Sequence, residues 1–164
     1  EDQLDACKEL GIFSALFPSQ TFYSGDWYRE RSLGPERAAR SSPTRSVLNR
    51  GMKVTIHADA PVIVPNAMRM LWSAVNRRTR SGFVLGKDQA LTPLEALKAQ
   101  TIWSAYQHFE EDQKGSIEVG KLADFAVLSA NPLTVDPMTI KDIEVLETIK
   151  EGKSIYKAED AIAS

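Results

Sequence analysis

The chain has 164 residues, of which 43% are hydrophobic and 26% are charged, so it can bury a real core, and disordered and fibrous classes are excluded. Twenty basic against twenty-two acidic side chains leave a net charge of −2, which gives no overall attraction to nucleic acid or to an anionic membrane. We therefore predict neither as a partner.

The cysteine content and the start of the sequence bear on where the protein works. The single cysteine, Cys7, has no partner for an internal disulfide, and no cluster of cysteine and histidine could hold a structural zinc. No apolar stretch approaches the roughly 18 residues of a membrane span. These features favour the cytoplasm. The sequence starts without methionine, inside a helical pattern containing Leu4 and Leu10, and we interpret it as a fragment of a longer chain.

The first half of the sequence alternates helix and strand, as in α/β proteins. The predicted elements are a helix at 2–10, a buried strand at 12–17, a helix at 44–50 and a buried strand at 52–57. The segment 19–43 is rich in Ser, Gly, Pro and Arg and has aromatic residues in its first half. It predicts a long loop, and long loops in compact domains are usually functional.

The second half begins with helices and changes to short strands. A helix is predicted at 66–80, and Thr92, Pro93 and Glu95 form a capping box that starts another helix running to about Glu110. After Gln113, glycine-punctuated β segments are predicted at 116–119, 125–128, 145–149 and 154–156. These segments indicate a second architectural unit, followed by a frayed tail at 158–164.

Asp59 is the first candidate for chemistry because it follows the predicted buried strand 52–57. The carboxyl ends of parallel barrel strands are where catalytic groups project, and a carboxylate there can bind a metal and accept a proton from water. Position alone favours a plainer interpretation, in which an aspartate close to Pro61 forms a turn or caps the next helix.

Four motifs in order change that balance. They are IHADAP at 56–61, ALTPLEAL at 90–97, KGSIEVGKLADFAVL at 114–128 and TIKEGKSIY at 148–156. Together they resemble the C-terminal region of the amidohydrolase superfamily, and most closely the amidohydrolase-3 branch of N-acyl and formamide hydrolases. The resemblance implies an α/β fold: residues 1–112 as the C-terminal part of a TIM barrel, with its last strands and helices, and 113–157 as strands of a small β-sandwich.

The resemblance also implies an activity and a role for Asp59. It matches the aspartate after the eighth barrel strand, which in the family binds a divalent metal, zinc by expectation, and acts as the base toward the hydrolytic water. The parent protein would hydrolyse amide-type C–N bonds of a small molecule. The family's histidine ligands are absent, because the chain has only His57 and His108. We therefore expect this chain alone to bind no metal, to be inactive, and to need the N-terminal part of the barrel as its partner.

Three further residues are candidates for substrate binding. Gln20 and Trp27 lie in a segment that matches the family's loop after the seventh strand, although aromatic residues there could equally cover the barrel top. His57 would share a face with Asp59 if the strand is regular, although a lone strand histidine is more often packed in a core. His108 lies near a helix end and is assigned no catalysis.

The arginine-rich segment and the function of the whole chain each have two possible interpretations. The arginines between residues 29 and 50 form a basic run that could steer an anionic substrate, but a solvated or salt-bridged surface is the favoured interpretation. For the chain as a whole, the alternative function is a non-catalytic interaction or oligomerisation module derived from such an enzyme. Uncovered sheet edges and apolar helix faces would then lead it to form homo-oligomers.

Overall fold

A computed structural model describes residues 2–158. It contains seven helices and five strands within that range. In chain order they are α1 (Asp2–Glu9), β1 (Ser14–Leu16), α2 (Ser19–Trp27), α3 (Pro35–Ala39), α4 (Thr44–Asn49), β2 (Val54–Ile56), α5 (Ala67–Asn76), α6 (Pro93–Gln100), α7 (Ile102–Gln107), β3 (Phe125–Leu128), β4 (Val145–Lys150) and β5 (Lys153–Lys157). A π-helical turn spans Tyr28–Ser32, and 3₁₀ turns span Lys87–Gln89 and Pro137–Asp142.

The first sheet is a parallel pair, β1 and β2, in the register Ser14 to Val54 and Leu16 to Ile56. All three residues of β2 are buried, as expected for a parallel strand covered on both faces. The predicted strands at 12–17 and 52–57 are therefore confirmed, although each is shorter than predicted because the strand pairing covers only 14–16 and 54–56.

The main core lies between β2 and the helices that follow it. Ile56 packs in one buried cluster with Leu71 and Trp72 of α5 and with Ala96 and Ala99 of α6. Asn66 caps α5 by accepting the Arg69 backbone N–H at 2.8 Å. The 3₁₀ turn at Pro137–Asp142 also joins this core, since Ile140 is fully buried there and the Trp72 indole N–H donates to the Met138 carbonyl at 3.0 Å.

The prediction of a loop across 19–43 was wrong, because that segment forms α2, the π-helical turn and α3. Its composition is loop-like, but tertiary packing decides the outcome. Phe22 packs edge-to-face on Trp72 with ring centroids 5.6 Å apart. Gly25 lets α2 approach its neighbour closely, since a Cβ there would lie only 2.7 Å from Thr79 Cγ2.

Arg77 ends α5 and is fully buried. Its guanidinium donates to three backbone carbonyls: Leu85 at 2.9 Å, Ser42 at 3.1 Å and Ser41 at 2.7 Å. Burial lowers the pKa of Arg77 to about 10, while the charge of Asp88 acts in the opposite direction. The Arg77 side chain thus joins the end of α5 to the α3–α4 connection through hydrogen bonds.

The capping box at α6 is confirmed. The Thr92 hydroxyl accepts the Glu95 N–H, and the Glu95 carboxylate accepts the Thr92 N–H at 2.8 Å. The same carboxylate receives Arg45 of α4, whose Nη1 lies 2.8 Å from Oε1. This hydrogen bond from Arg45, supported by those from Thr92, lowers the pKa of Glu95 to about 2 against the opposing effect of burial.

The helix predicted to run from Pro93 to about Glu110 is interrupted at Thr101, where φ is −123° and ψ is −100°. The Thr101 hydroxyl donates to the Leu97 carbonyl, and the Ser104 hydroxyl donates to the Ala99 carbonyl. Such side-chain bonds compete with the helical ladder. Two shorter helices, α6 and α7, result.

The second sheet is antiparallel, in the order β3–β4–β5, and confirms the strands predicted at 125–128, 145–149 and 154–156. The strand predicted at 116–119 was wrong, because that segment forms an irregular loop. The Lys121 ammonium stabilises this loop, because it donates to the Glu111 carbonyl and to the Ser116 hydroxyl, both at 2.6 Å. The division at 112/113 remains a prediction, and of the predicted frayed tail, residues 159–164 lie outside the described part of the chain.

Within residues 2–158, no helix has both the length and the hydropathy that crossing a membrane requires.

Replacing Arg77 tests its role in the fold. Arg77→Met leaves the Leu85 and Ser41 carbonyls without a donor, at a cost of about 1–3 kcal/mol for each unsatisfied group, while the Ser42 carbonyl keeps the Thr44 N–H. We expect urea unfolding to show a loss of at least about 2 kcal/mol. Arg78→Met is the matched control, since Arg78 donates to a single exposed carbonyl, that of Gly82, and should cost under about 1 kcal/mol. Equal losses in the two variants would contradict the assignment.

The Glu95 carboxylate predicts a pH dependence. Because its pKa in the folded chain, about 2, lies below the usual 4.5, its stabilising contribution is complete above pH 4.5 and is lost as the pH falls toward 2. Glu95→Gln should lower the free energy of unfolding by roughly 0.5–2 kcal/mol at neutral pH, the usual range for a lost cap. The difference from the unchanged chain should disappear near pH 2. A difference that stays constant with pH, or no coupling in a double-mutant cycle with Arg45→Gln, would refute this account.

Candidate functional site

The carboxyl ends of β1 and β2 meet at one edge, as they must in a parallel pair. Phe17 follows β1 and His57 follows β2, and their rings stack with centroids 5.1 Å apart at 23°. The His57 backbone N–H donates to the Leu16 carbonyl at 3.1 Å, which continues the pairing by one residue. His57 is half-buried in this stack, which holds the histidine ring at the strand edge.

Asp59 lies two residues beyond His57 and is exposed. Its φ is +52°, in the left-handed region, and its carbonyl accepts the Val62 N–H at 2.8 Å. A residue other than glycine in this conformation costs about 1–3 kcal/mol, and such strain is concentrated at functional sites. β2 ends at Ile56, so the strand alternation that would put His57 and Asp59 on one face does not extend to Asp59.

The turn and the chemical interpretation of Asp59 are compatible. The backbone of residues 59–62 forms the turn, while the carboxylate takes no part in any hydrogen bond or ion pair found within residues 2–158. An exposed carboxylate without a partner, held at the carboxyl edge of a buried parallel strand, is available to a ligand.

Gln20 and Trp27 lie at opposite ends of α2. Gln20 is the second residue of the helix and is half-buried. It follows the end of β1 at Leu16 by four residues, so it lies near the edge where His57 and Asp59 follow β2. Trp27 ends the helix, seven residues or about 10 Å along the axis from Gln20. Its side chain is 57% exposed and lies beside Tyr28, with ring centroids 5.7 Å apart. The fold thus brings three of the four predicted site residues to one edge, with Trp27 at its periphery.

The described residues do not fit a complete metal site. Within 2–158, no three side chains of the His, Cys, Asp and Glu types lie together in an arrangement that could hold a metal ion. A catalytic zinc needs three protein ligands and an open position. Asp59 can supply one ligand, and His108, which is exposed at the end of α7, lies in a different element.

Three of the six arginines in the basic run form ion pairs, in line with the favoured interpretation of a solvated or salt-bridged surface. Arg45 bonds Glu95, Arg50 bonds Asp5 at 2.7 Å, and Arg29 bonds Glu30 at 2.6 Å. Hydrogen bonding and proximity to Arg50 hold the pKa of Asp5 below its usual value. These three arginines are therefore engaged by carboxylates of the chain itself.

Besides the basic run, the structure contains a second cationic group that was not predicted from the sequence. Arg69 of α5 and Arg80 lie over the ring of Phe22, at 5.1 and 5.9 Å from its centroid. No sequence pattern joins these positions, because residue 22 is separated from both arginines by more than forty residues. Only the packing of α2 against α5 brings them together.

A cleft of about 700 Å³ lies between the α6–α7 helices and the second sheet. Its lining is mainly apolar and includes Leu97, Ala105, Ile117, Phe125 and Leu133. Gly115 lies at its wall with φ +93°, and a Cβ there would come within 2.8 Å of the Ala105 Cβ. Glycine is thus required for the close approach of the 114–120 loop to α7.

Comparison with known proteins adds a family to this geometry. Residues 1–156 match the family described as the Amidohydrolase family. The chain is 30% identical over 149 residues to N-substituted formamide deformylase of Arthrobacter pascens, covering 91% of this chain and 28% of that protein. It is 28% identical over 134 residues to the putative amidohydrolase YtcJ of Bacillus subtilis, covering 80% and 25%.

Solved structures agree in fold. An uncharacterized metal-dependent hydrolase from Pyrococcus horikoshii matches with a TM-score of 0.70 and 24% identity over 84% of this chain and 28% of that chain. One from Pyrococcus furiosus matches with a TM-score of 0.65 and 25% identity, over 82% and 27%. The chain spans about a quarter of the length of these relatives. It belongs to the amidohydrolase family, in the amidohydrolase-3 branch.

Proposed function

We propose that this chain is the C-terminal part of a metal-dependent amidohydrolase that hydrolyses an amide-type C–N bond of a small molecule. The observation that carries the proposal is the exposed, unpaired carboxylate of Asp59 at the carboxyl edge of β2. The similarity to an enzyme named for removing formyl groups from N-substituted formamides supports the bond type.

In this proposal, β1 and β2 are the last two strands of a TIM barrel, within residues 1–112. Their parallel pairing and the helices between them support this assignment, because a parallel neighbour requires such a crossover. Residues 113–157 are proposed to contribute to a small β-sandwich, and the antiparallel order β3–β4–β5 is consistent with that.

Asp59 is proposed as the residue that accepts a proton from the attacking water and as one ligand of a divalent metal, with zinc as the expected ion. The carboxylate has the exposure that such a role needs. The remaining ligands would come from the rest of the protein, because residues 2–158 contain no group of three or more side chains that could hold a metal ion. The 164-residue chain alone is therefore proposed to hold no metal and to be inactive.

Gln20, His57 and Trp27 are proposed to contact substrate. Gln20 and His57 lie at the Asp59 edge, where an amide and an imidazole can orient a polar group. Trp27 presents a ring that is more than half exposed at the far end of α2, suited to cover the apolar part of a substrate.

The protein is proposed to work in the cytoplasm. The 164 residues contain a single cysteine, which has no partner for an internal disulfide, and this supports a reducing compartment.

The partner proposed for this chain is the N-terminal part of the same barrel. Large apolar side chains are exposed on the second half of the chain: Phe109 at 92%, Ile117 at 85% and Val119 fully. Large apolar side chains exposed to this degree are candidates for an interface. These side chains also favour the second candidate function, a non-catalytic module that associates with further copies of itself.

Size-exclusion chromatography of the 164-residue chain separates these two functions. A severed part of a barrel should aggregate or elute as a broad mixture, because its sheet edges are unpaired. A defined homo-oligomer that melts cooperatively would instead favour the interaction module.

Substitution of Asp59 in the longer protein tests the catalytic role. Asp59→Asn keeps the size of the side chain but removes the base, and kcat for amide hydrolysis should fall about 10²–10⁴-fold, the range for a lost general base. Asp112→Asn is the matched control, since Asp112 is also exposed but lies after α7. Unchanged kcat in Asp59→Asn, or an equal loss in the control, would exclude Asp59 from catalysis.

A second test uses the 164-residue chain with added Zn²⁺ and an N-formyl or N-acyl amine. We expect no hydrolysis above the metal-only background, because one carboxylate does not hold a catalytic zinc. Hydrolysis that is lost in Asp59→Ala would refute the proposed inactivity of the isolated chain.

A further inference from the structure

Two arginines and three aromatic rings form a surface cluster on α2 and α5, which we call the arginine ledge: Phe22, Tyr23, Arg69, Trp72 and Arg80. The Arg69 guanidinium lies 5.1 Å from the Phe22 centroid and 5.4 Å from that of Trp72. The Arg80 guanidinium lies 5.9 Å from the Phe22 centroid and 5.1 Å from that of Tyr23. The two guanidinium carbons are therefore at most about 11 Å apart, the sum of their distances to the shared ring.

The charges of the ledge are not neutralised by the chain. Across residues 2–158, neither the Arg69 nor the Arg80 side chain forms an ion pair or a hydrogen bond. Arg29, Arg45 and Arg50 by contrast each bond a carboxylate. A guanidinium over a ring keeps its N–H donors at the edge of its plane, where they fit the two oxygens of a carboxylate.

Neighbouring bonds fix the ledge in place. The carboxylate closest in sequence to Phe22 and Tyr23 is Asp26, and it does not pair with Arg80. It accepts the Ser81 N–H at 3.0 Å and the Ser81 hydroxyl at 2.6 Å. Burial acts to raise the pKa of Asp26, but hydrogen bonds from Ser81 and Thr79 outweigh it and hold that pKa below its usual value. The segment that carries Arg80 is thereby tied to α2.

The other arginine is held by its helix. Arg69 is the third residue of α5, three residues after the Asn66 cap, which accepts its backbone N–H, and it is half-buried. The rings beneath it pack edge-to-face: Phe22 on Trp72 at 84° and Phe22 on Tyr23 at 89°. Each element therefore positions a cation before any ligand is present, which lowers the entropy that binding costs.

We propose that the arginine ledge is a binding site for a small molecule that carries two carboxylates. The two guanidiniums near one ring repel each other. A dianion lying between them attracts both, and this attraction offsets their repulsion. Both guanidiniums can form paired N–H···O bonds to separate carboxylates. The ring surface accommodates the carbon chain of the ligand. This site is independent of Asp59 and of the reaction proposed for that residue.

Isothermal titration of the full protein with succinate at low ionic strength tests the proposal. We expect one succinate per chain, with acetate binding at least about tenfold more weakly because it meets one guanidinium at a time. Arg69→Gln and Arg80→Gln should each weaken succinate binding about tenfold or more. Arg80 is exposed, so its variant keeps the fold even where Arg69→Gln does not.

Arg40→Gln is the control, because Arg40 is also an exposed arginine but lies after α3, outside the cluster. It should leave the succinate affinity unchanged. The absence of succinate binding, an equal loss in Arg40→Gln, or tighter binding of inorganic phosphate than of succinate would each overturn the assignment of a dicarboxylate site.

Discussion

The parallel pairing of β1 with β2 is the constraint on which the candidate site depends. Val54, Thr55 and Ile56 are buried on both faces, so the register with β1 cannot slip without moving their side chains out of the core. The pairing ends with the bond from the His57 N–H to the Leu16 carbonyl. Beyond that bond, the chain is free to turn, and it turns at Asp59.

Buried polar bonds give the surrounding helices their fixed positions. Arg77 donates to three backbone carbonyls, and it is the donor for the buried Leu85 carbonyl and for the half-buried Ser41 carbonyl. Glu95 combines a helix cap with an ion pair to Arg45. The bonds from Arg77 to Ser42 and from Arg45 to Glu95 join positions 35 and 50 residues apart. They hold α4 and the connection before it to α5 and α6.

Local signals were sufficient for some parts of the fold. The Thr92–Glu95 capping box and the two buried strands were predicted because their determinants lie within a few residues. The helices in 19–43 were missed, because Phe22 is stabilised in α2 by packing on Trp72, fifty residues away. The break at Thr101 was missed because it depends on the hydroxyl bonds of that residue and of Ser104.

The candidate site shows the same division. The position of Asp59 after a buried strand could be read from the sequence, but its left-handed turn and the Phe17–His57 stack could not. The arginine ledge could not be predicted for the same reason, since Phe22 meets Arg69 and Arg80 only after α2 packs on α5.

The most direct test of the role of Asp59 is a crystal structure of the longer protein with zinc, located by anomalous scattering. We expect an Asp59 carboxylate oxygen about 2.0–2.2 Å from the metal. A metal bound with Asp59 outside its coordination sphere would contradict the proposed role of this residue.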